Sequence, residues 1–441
     1  MNSPKALAGN LVVAFIALDE REGRRYFMTK GISTYIEKNR GALCSLLKDL
    51  VSVPTINPPG TNYKEIVDLL EERCQTLGME TQVVQVPEDE AQAVVAHADQ
   101  YPRMNLIARW DVGAEKTVHF NAHYDVVPVS GKWRIDPFQP EVVGDWLYGR
   151  GSDDMKDSIT ALLFAISALK ENKVRPAFNI ECSFTCDEEI GGALGAGYLV
   201  RKGLVQGDFV VNCEGGSGVK IGNGHNGVLW LEVTVQGKSA HASRPDKGIN
   251  AFEKTAELVT VLQKLKRRFE TPKRIFKTSG GAERRPTINI GGVFMGTSGD
   301  KVNTIPAKVT FTIDRRIPPN ELLREAETEL KTAIQEACKS VPDLKVKIKS
   351  TLRIEPCLVD PAHPFVQEFA RAVRTVRRNP VQFVPTTGFT DLHYFVEEGK
   401  IPGVGYGARG KGAHGVNERV RISDLVKCAK TYAEFMVGAK L

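Results

Sequence analysis

The 441-residue sequence holds eight cysteines and no C-x-x-C pair among them. Cys44, Cys74, Cys182, Cys186, Cys213, Cys338, Cys357 and Cys428 are too scattered for the disulfide framework of a small secreted domain. None has the spacing of a zinc ribbon or a dithiol redox site. What remains is a set of small buried hydrophobes in a reduced, cytoplasmic protein. A long apolar run is missing too. The run Leu11 to Leu18 is closed at once by Asp19-Glu20-Arg21-Glu22, short of the roughly 18 residues that span a bilayer. It also lacks the small-x-small cleavage site of a signal peptide, so residues 1–27 read as an extension with no part in the chemistry. A large charge surplus is likewise absent: 59 Lys and Arg against 53 Asp and Glu leave +6, which by itself does not argue for nucleic acid. With 42% hydrophobic and 25% charged residues, collagen-like, low-complexity and disordered chains are excluded. The length suits two domains at roughly 100 to 200 residues each.

Helical and strand patterns alternate from about Ile32, as in an α/β domain. Short strands are expected at 105–110, 118–123, 178–186 and 208–213, and an apolar, buried helix at 158–169. The pattern changes near Gly227, where strand, helix, strand, helix and strand follow at 228–236, 251–268, 309–314, 321–338 and 345–349. This sequence predicts a small α+β sandwich at 227–348, inserted between two parts of the larger domain at 28–226 and 349–441, the second with helices at 365–376 and 422–437. The insert holds 22 Lys and Arg against 14 Asp and Glu. The positive excess therefore belongs to it. A solvated helix end accounts for Lys264 to Arg268, so no nucleic-acid partner is expected.

Chemistry-bearing residues gather where strands end, which is where open α/β sheets place their sites. His123 precedes Asp125 by two residues, a spacing that lets a carboxylate orient a metal-binding imidazole. The glycine-rich segment 147–157 carries Asp153 and Asp154 just before the buried helix, and capping that helix is the simplest role for either. Asp187-Glu188-Glu189 leaves another strand, and adjacent carboxylates repel unless a cation sits beside them. Glu214 ends a third strand before Gly215-Gly216, and His414 lies in the loop Gly412 to Glu418. A pair of metal ions would account for this concentration of acids and histidines.

Five segments together, His123-Tyr124-Asp125-Val126-Val127-Pro128, Gly149-Arg150-Gly151-Ser152-Asp153-Asp154-Met155-Lys156, Asp187 to Gly192, Gly237 to Pro245 and Gly412-Ala413-His414, resemble the co-catalytic zinc amidohydrolases. That family includes acetylornithine deacetylase, succinyl-diaminopimelate desuccinylase, aminoacylase and glutamate carboxypeptidase. The resemblance runs from about residue 30 to the C-terminus. It implies an α/β catalytic domain with a mixed sheet and an inserted lid and dimerisation domain. It also implies two divalent ions, zinc by default with cobalt or manganese as alternatives. His123, Asp154 and Glu214 would hold one ion, and Asp154, Glu189 and His414 the other. Asp125 would orient His123, and Glu188 would be the general base toward a hydroxide bridging the ions. His241 would reach the active site of a second copy in a homodimer, and a cis peptide would follow Asp154.

The same resemblance assigns Asn303 and Arg316 of the insert to a substrate carboxylate, and Gly388 and Thr390 to the loop beside the substrate. A fork-shaped guanidinium suits a carboxylate, whereas an ordinary salt bridge is the plain alternative for Arg316. Glu rather than Asp at position 214 resembles the deacylase and carboxypeptidase branches. Two residues depart from the pattern: Asp157 replaces the glycine usual after Met-Lys, and Gly215-Gly216 replaces a Pro-Thr or Pro-Ser turn. The expected activity is hydrolysis of a small anionic N-acyl amino acid, of the desuccinylase or deacetylase type. A carboxypeptidase or dipeptidase using the same site is the alternative, and a non-catalytic binding protein a weaker one. His97, His119, His225, His363 and His393 carry no motif and read as structural or exposed.

Overall fold

The computed structural model describes residues 20–441 except 270, 298 and 300, with side chains described from residue 29 onward. The run Leu11 to Leu18 lies outside the described residues. In chain order the main elements are α1 (Glu20–Lys38), α2 (Arg40–Val51), α3 (Tyr63–Thr76), β1 (Glu80–Gln85), β2 (Met104–Trp110) and β3 (Thr117–His123). They continue with α4 (Lys156–Glu171), β4 (Asn179–Thr185) and β5 (Phe209–Ser217). The insert contributes β6 (Gly227–Gln236), α5 (Ala251–Arg268), β7 (Thr287–Met295), β8 (Lys308–Ile317), α6 (Leu323–Ser340) and β9 (Lys345–Ile354). The body closes with α7 (Pro364–Arg377), β10 (Gly403–Gly407) and α8 (Ile422–Gly438). The backbone of α1 runs through position 28 without a break, so the 27/28 division falls inside a helix.

The body is built on a mixed sheet of order β1-β2-β4-β3-β5-β10. β4, β3, β5 and β10 run parallel, while β1 and β2 pair antiparallel at one side. Helices cover the parallel part, so its strands are buried on both faces and read as apolar runs rather than alternations. Only the first residue of β3 is even partly exposed, and α4 is buried from Lys156 through Ile166. The register sets His123 opposite Thr185 and Asn121 opposite Asn212. Residues that follow β3 and β4, and the end of β5, therefore emerge side by side at the carboxyl edge of the sheet.

The insert is a sheet of order β7-β8-β6-β9, antiparallel throughout. Leu229, Leu231, Val233 and Val235 alternate into a core of its own with Leu258, Leu262, Leu330 and Ile334. Two features depart from the sequence reading. β7 is a fourth strand whose Gly291-Gly292 pair breaks the alternation, and its pairing with β8 shifts register between Ile290 and Phe294. β9 continues to Ile354 instead of ending at 349, because Thr351 bulges out of the ladder opposite Trp230 and Leu231. The division at 348 thus falls inside a strand. All eight thiols are free, and no helix among the described residues is long and apolar enough to cross a membrane.

Candidate metal centre

Two ligand sets meet at the carboxyl edge of the sheet. His123, Asp154 and Glu214 form one and Asp154, Glu189 and His414 the other, each offering donor atoms within 4.8 Å of one another. Asp154 belongs to both. Its Oδ1 lies 3.3 Å from His123 Nε2 and its Oδ2 3.1 Å from His414 Nε2. His414 Nε2 is also 2.9 Å from Glu189 Oε2. Glu214 is held by Asn212, whose Nδ2 donates to Oε1 at 3.2 Å.

Local structure aims these groups. His123 ends β3 with Nδ1 set 3.1 Å from the Asp125 carbonyl and 3.4 Å from its Oδ1, leaving Nε2 for the site. That Nε2 is buried with no hydrogen-bond partner. Asp125 also accepts from the backbone N–H groups of Glu188 and Glu189, at 3.2 and 3.3 Å. One carboxylate therefore fixes both the first histidine and the turn carrying the second acidic pair. His414 sits in left-handed backbone, φ 61°, within its glycine loop. The Asp154-Met155 peptide is cis, as the family resemblance implies. Neither Asp153 nor Asp154 caps α4, whose N-cap is Met155 without a side-chain hydrogen bond. Instead the Asp153 and Asp154 N–H groups donate to buried Glu418, at 2.9 and 3.1 Å.

The electrostatics point to missing positive charge. Burial first, then the nearby Glu214 carboxylate, push the Glu188 carboxyl well above its ordinary range. Burial and Asp154 raise Glu189 to about 7. Glu214 rises to about 8, chiefly by burial and in spite of His123. His414 is drawn up to about 10 by its bonds to Asp154 and Glu189. Burial opposes ionisation of His123, yet Asp125 and Asp154 hold it well above its usual value. Carboxylates crowded like this ionise together only beside cations. A nitrogen and oxygen donor set with an orphaned buried Nε2 fits divalent metal.

Glu188 stands beside the two sets without belonging to either. Its Oε2 is 3.8 Å from His123 Nε2, and no described residue donates a hydrogen bond to its carboxylate. A cleft of about 380 Å³ opens next to Asp154 and Glu214, lined further by Gly215, Gly216, Ser217, Lys220 and Thr386. Buried Thr390 borders this region, since a Cβ on Gly215 would meet its methyl group at 3.5 Å. Gly388 is exposed, with open space where a side chain would be.

Of the insert's candidate residues, His241 and Asn303 adjoin each other, Arg316 lies apart on β8, and none makes a hydrogen bond or ion pair with a metal ligand among the described residues. His241 bridges Thr304, the Ala242 N–H donates to the Asn303 carbonyl at 2.9 Å, and both His241 and Asn303 are exposed. Arg316 forms a two-pronged pair with Asp314, at 2.8 and 2.9 Å. The plain salt bridge is what this single chain displays.

A supporting layer escaped the sequence reading. Arg103, Tyr63 and Asn57 all donate to buried Asp187, at 2.7, 2.9 and 3.0 Å, and Asn57 also reaches Asp125 at 2.9 Å. Asp391 takes long bonds from Asn121 and Thr185 and packs so closely on Gly192 (φ 69°) that a Cβ there would lie 2.1 Å from its Oδ1. Asp157 is wholly buried with Oδ2 unpartnered, and burial pushes its carboxyl far up, toward the neutral form. Arg103→Met would leave the Asp187 charge buried without its cation. It should cost about 3 kcal/mol of unfolding free energy, read as a lower urea midpoint; an unchanged midpoint would mean that the pair does not brace the turn.

Residues 119–437 match the family described as peptidase family M20/M25/M40. An uncharacterised metallohydrolase of Methanocaldococcus jannaschii is 26% identical over 413 residues, 89% of this chain and 98% of the relative. A succinyl-diaminopimelate desuccinylase of Dinoroseobacter shibae is 25% identical over 406 residues, 89% of this chain and 97% of the relative. Among solved structures, an M20 family metallo-carboxypeptidase of Sulfolobus solfataricus superposes with a TM-score of 0.71 at 21% identity, over 88% of this chain and 97% of that one.

Proposed function

The chain belongs to peptidase family M20/M25/M40, and from that membership we propose that it hydrolyses the amide bond of a small N-acyl amino acid with two divalent metal ions. The chain is a hydrolase of amides in a metal-dependent family; the substrate, the metal and the residue roles are the proposal. The observation that carries it is the pair of ligand sets sharing Asp154, with Glu188 beside them.

Bound ions would supply the charge that acidifies water and polarises the amide carbonyl. The protein does the rest. Glu188, beside both ligand sets and bound by no hydrogen-bond donor among the described residues, takes a proton from the attacking water and passes it to the leaving nitrogen. Asp125 keeps His123 oriented and pins the Glu188-Glu189 turn. His241 acts across a homodimer, as a donor to the developing oxyanion. The exposed edge of β7, where Val293, Phe294 and Met295 are half exposed, supports association through the insert. Asn303 and Arg316 bind the substrate carboxylate once Arg316 exchanges Asp314 for it, and Gly388 and Thr390 flank the substrate.

Between the two leading acyl groups, Lys220 favours succinyl. It is the one cation lining the cleft among the described residues, and no carboxylate there pairs with it. A dicarboxylic acyl group would place its free carboxylate on this ammonium. Lys220→Gln should raise KM for N-succinyl-diaminopimelate about tenfold, the loss of one charge-assisted bond, and leave N-acetylornithine hydrolysis unchanged. Equal effects on both substrates would remove Lys220 from specificity. The overall reading is tested by metal analysis with one hydrolysis panel: both N-acyl amino acids, dipeptides and a C-terminal glutamate substrate. Faster dipeptide turnover would transfer the assignment to the peptidase alternative, and no turnover at all to the binding protein.

A further inference from the structure

A second cavity, of about 590 Å³, lies between α1, α7 and α8 and shares no lining residue with the metal cleft. Among the described residues five cations face it: Lys30 from α1, Arg377 and Arg378 at the end of α7, and Lys427 and Lys430 from α8. Their placement follows helix geometry. Lys427 and Lys430 are three residues apart on one face, as are Lys30 and Ser33, with Thr34 one further on. Ser33 adds a hydroxyl to the same lining, whereas the Thr34 and Thr375 hydroxyls donate to the Lys30 and Arg371 carbonyls, at 2.8 and 3.0 Å.

Two of these cations are already committed. Lys430 pairs with Glu37 at 2.6 Å, and Arg377 with Asp424 and, through Nε at 2.9 Å, with the Tyr406 hydroxyl. Glu434, the acid among the described lining residues, lies 3.7 Å from Arg371. Lys30, Arg378 and Lys427 are exposed at the cavity's rim and form no ion pair with a carboxylate among the described residues, although Glu37 also attracts Lys427 at longer range. Like charges collected in a concavity repel one another unless an anion joins them. We propose that this cavity is an anion site, and that its ligand is a small phosphorylated molecule whose phosphoryl group lies among Lys30, Arg378 and Lys427. Ammonium, guanidinium and hydroxyl donors suit a tetrahedral oxyanion. The volume exceeds what phosphate alone fills and matches sites for small organic ligands, roughly 300 to 1,000 Å³.

The test is equilibrium binding of inorganic phosphate to the metal-loaded protein, followed by calorimetry and phosphorus NMR. One saturable site outside the metal centre is expected. The double variant R378Q/K427Q should weaken it at least about tenfold, the loss of two charge-assisted contacts, while the thermal midpoint and the kcat and KM of hydrolysis stay unchanged. His414→Ala, which alters the metal centre, should retain it. Absence of saturable binding, or equal affinity in R378Q/K427Q, would overturn the proposal. So would binding abolished by His414→Ala and kept by R378Q/K427Q, because the phosphate would then sit on the metal ions.

Discussion

Glu188→Gln should lower kcat by about 10³ to 10⁴, the upper part of the range for a positioned general base, while two metal ions stay bound. The amide keeps the size and position of the side chain and removes its capacity to accept a proton. Because Glu188 lies outside both ligand sets, with its Oε2 3.8 Å from His123 Nε2, the metal donors are untouched. KM should change little, since substrate binding falls to other groups. The paired readout is what discriminates: activity lost together with metal would make Glu188 a ligand, and activity retained with metal bound would remove it from the chemistry.

Asp154→Ala should have the second large effect, emptying both metal positions at once. Asp154 is the residue common to the two sets, with one carboxylate oxygen directed to His123 and the other to His414. With two ions bound as proposed, replacing it would withdraw a ligand from each and remove negative charge between them. Metal content should fall well below one ion per chain, and turnover by at least about 10³. His414→Ala provides the contrast. It belongs to one set only, so one ion should remain. Equal metal loss in the two variants would mean that the sets are not joined through Asp154.

The site was legible in the sequence to the extent that its residues lie in short segments. Asp187 to Gly192 and Gly149 to Lys156 each place an acid beside glycines at a strand or helix end, and that local chemistry survives without knowledge of the fold. Arg103, Asn57 and the role of Glu418 were not legible, because their partners are 84, 68 and 265 residues away. A buried arginine paired across such a separation looks the same in sequence as an exposed one. Fold elements behaved similarly. α5 spans the expected 251–268, and the structure shows what starts it: the Asn250 side chain accepts from the Phe252 and Glu253 N–H groups. β7 escaped because Gly291-Gly292 and a shifted register erase its alternation, and β9 looked shorter because of one bulged residue.

The insert separates what one chain displays from what the proposed dimer requires. His241 and Asn303 adjoin each other, and Arg316 is engaged by Asp314. In the proposed dimer a second copy would bring His241 to the metal centre. Mixing Glu188→Gln and His241→Ala chains should then restore part of the activity that each lacks alone. Mixtures as inactive as their components would confine His241 to its own chain.

The most direct measurement of the central claim is a titration of metal-stripped protein with zinc, following bound metal and hydrolysis of N-succinyl-diaminopimelate in the same samples. The account predicts no turnover without metal, and turnover that reaches its plateau as binding saturates at two ions per chain. Full hydrolysis in the presence of excess chelator, or saturation of binding at a single ion, would contradict it.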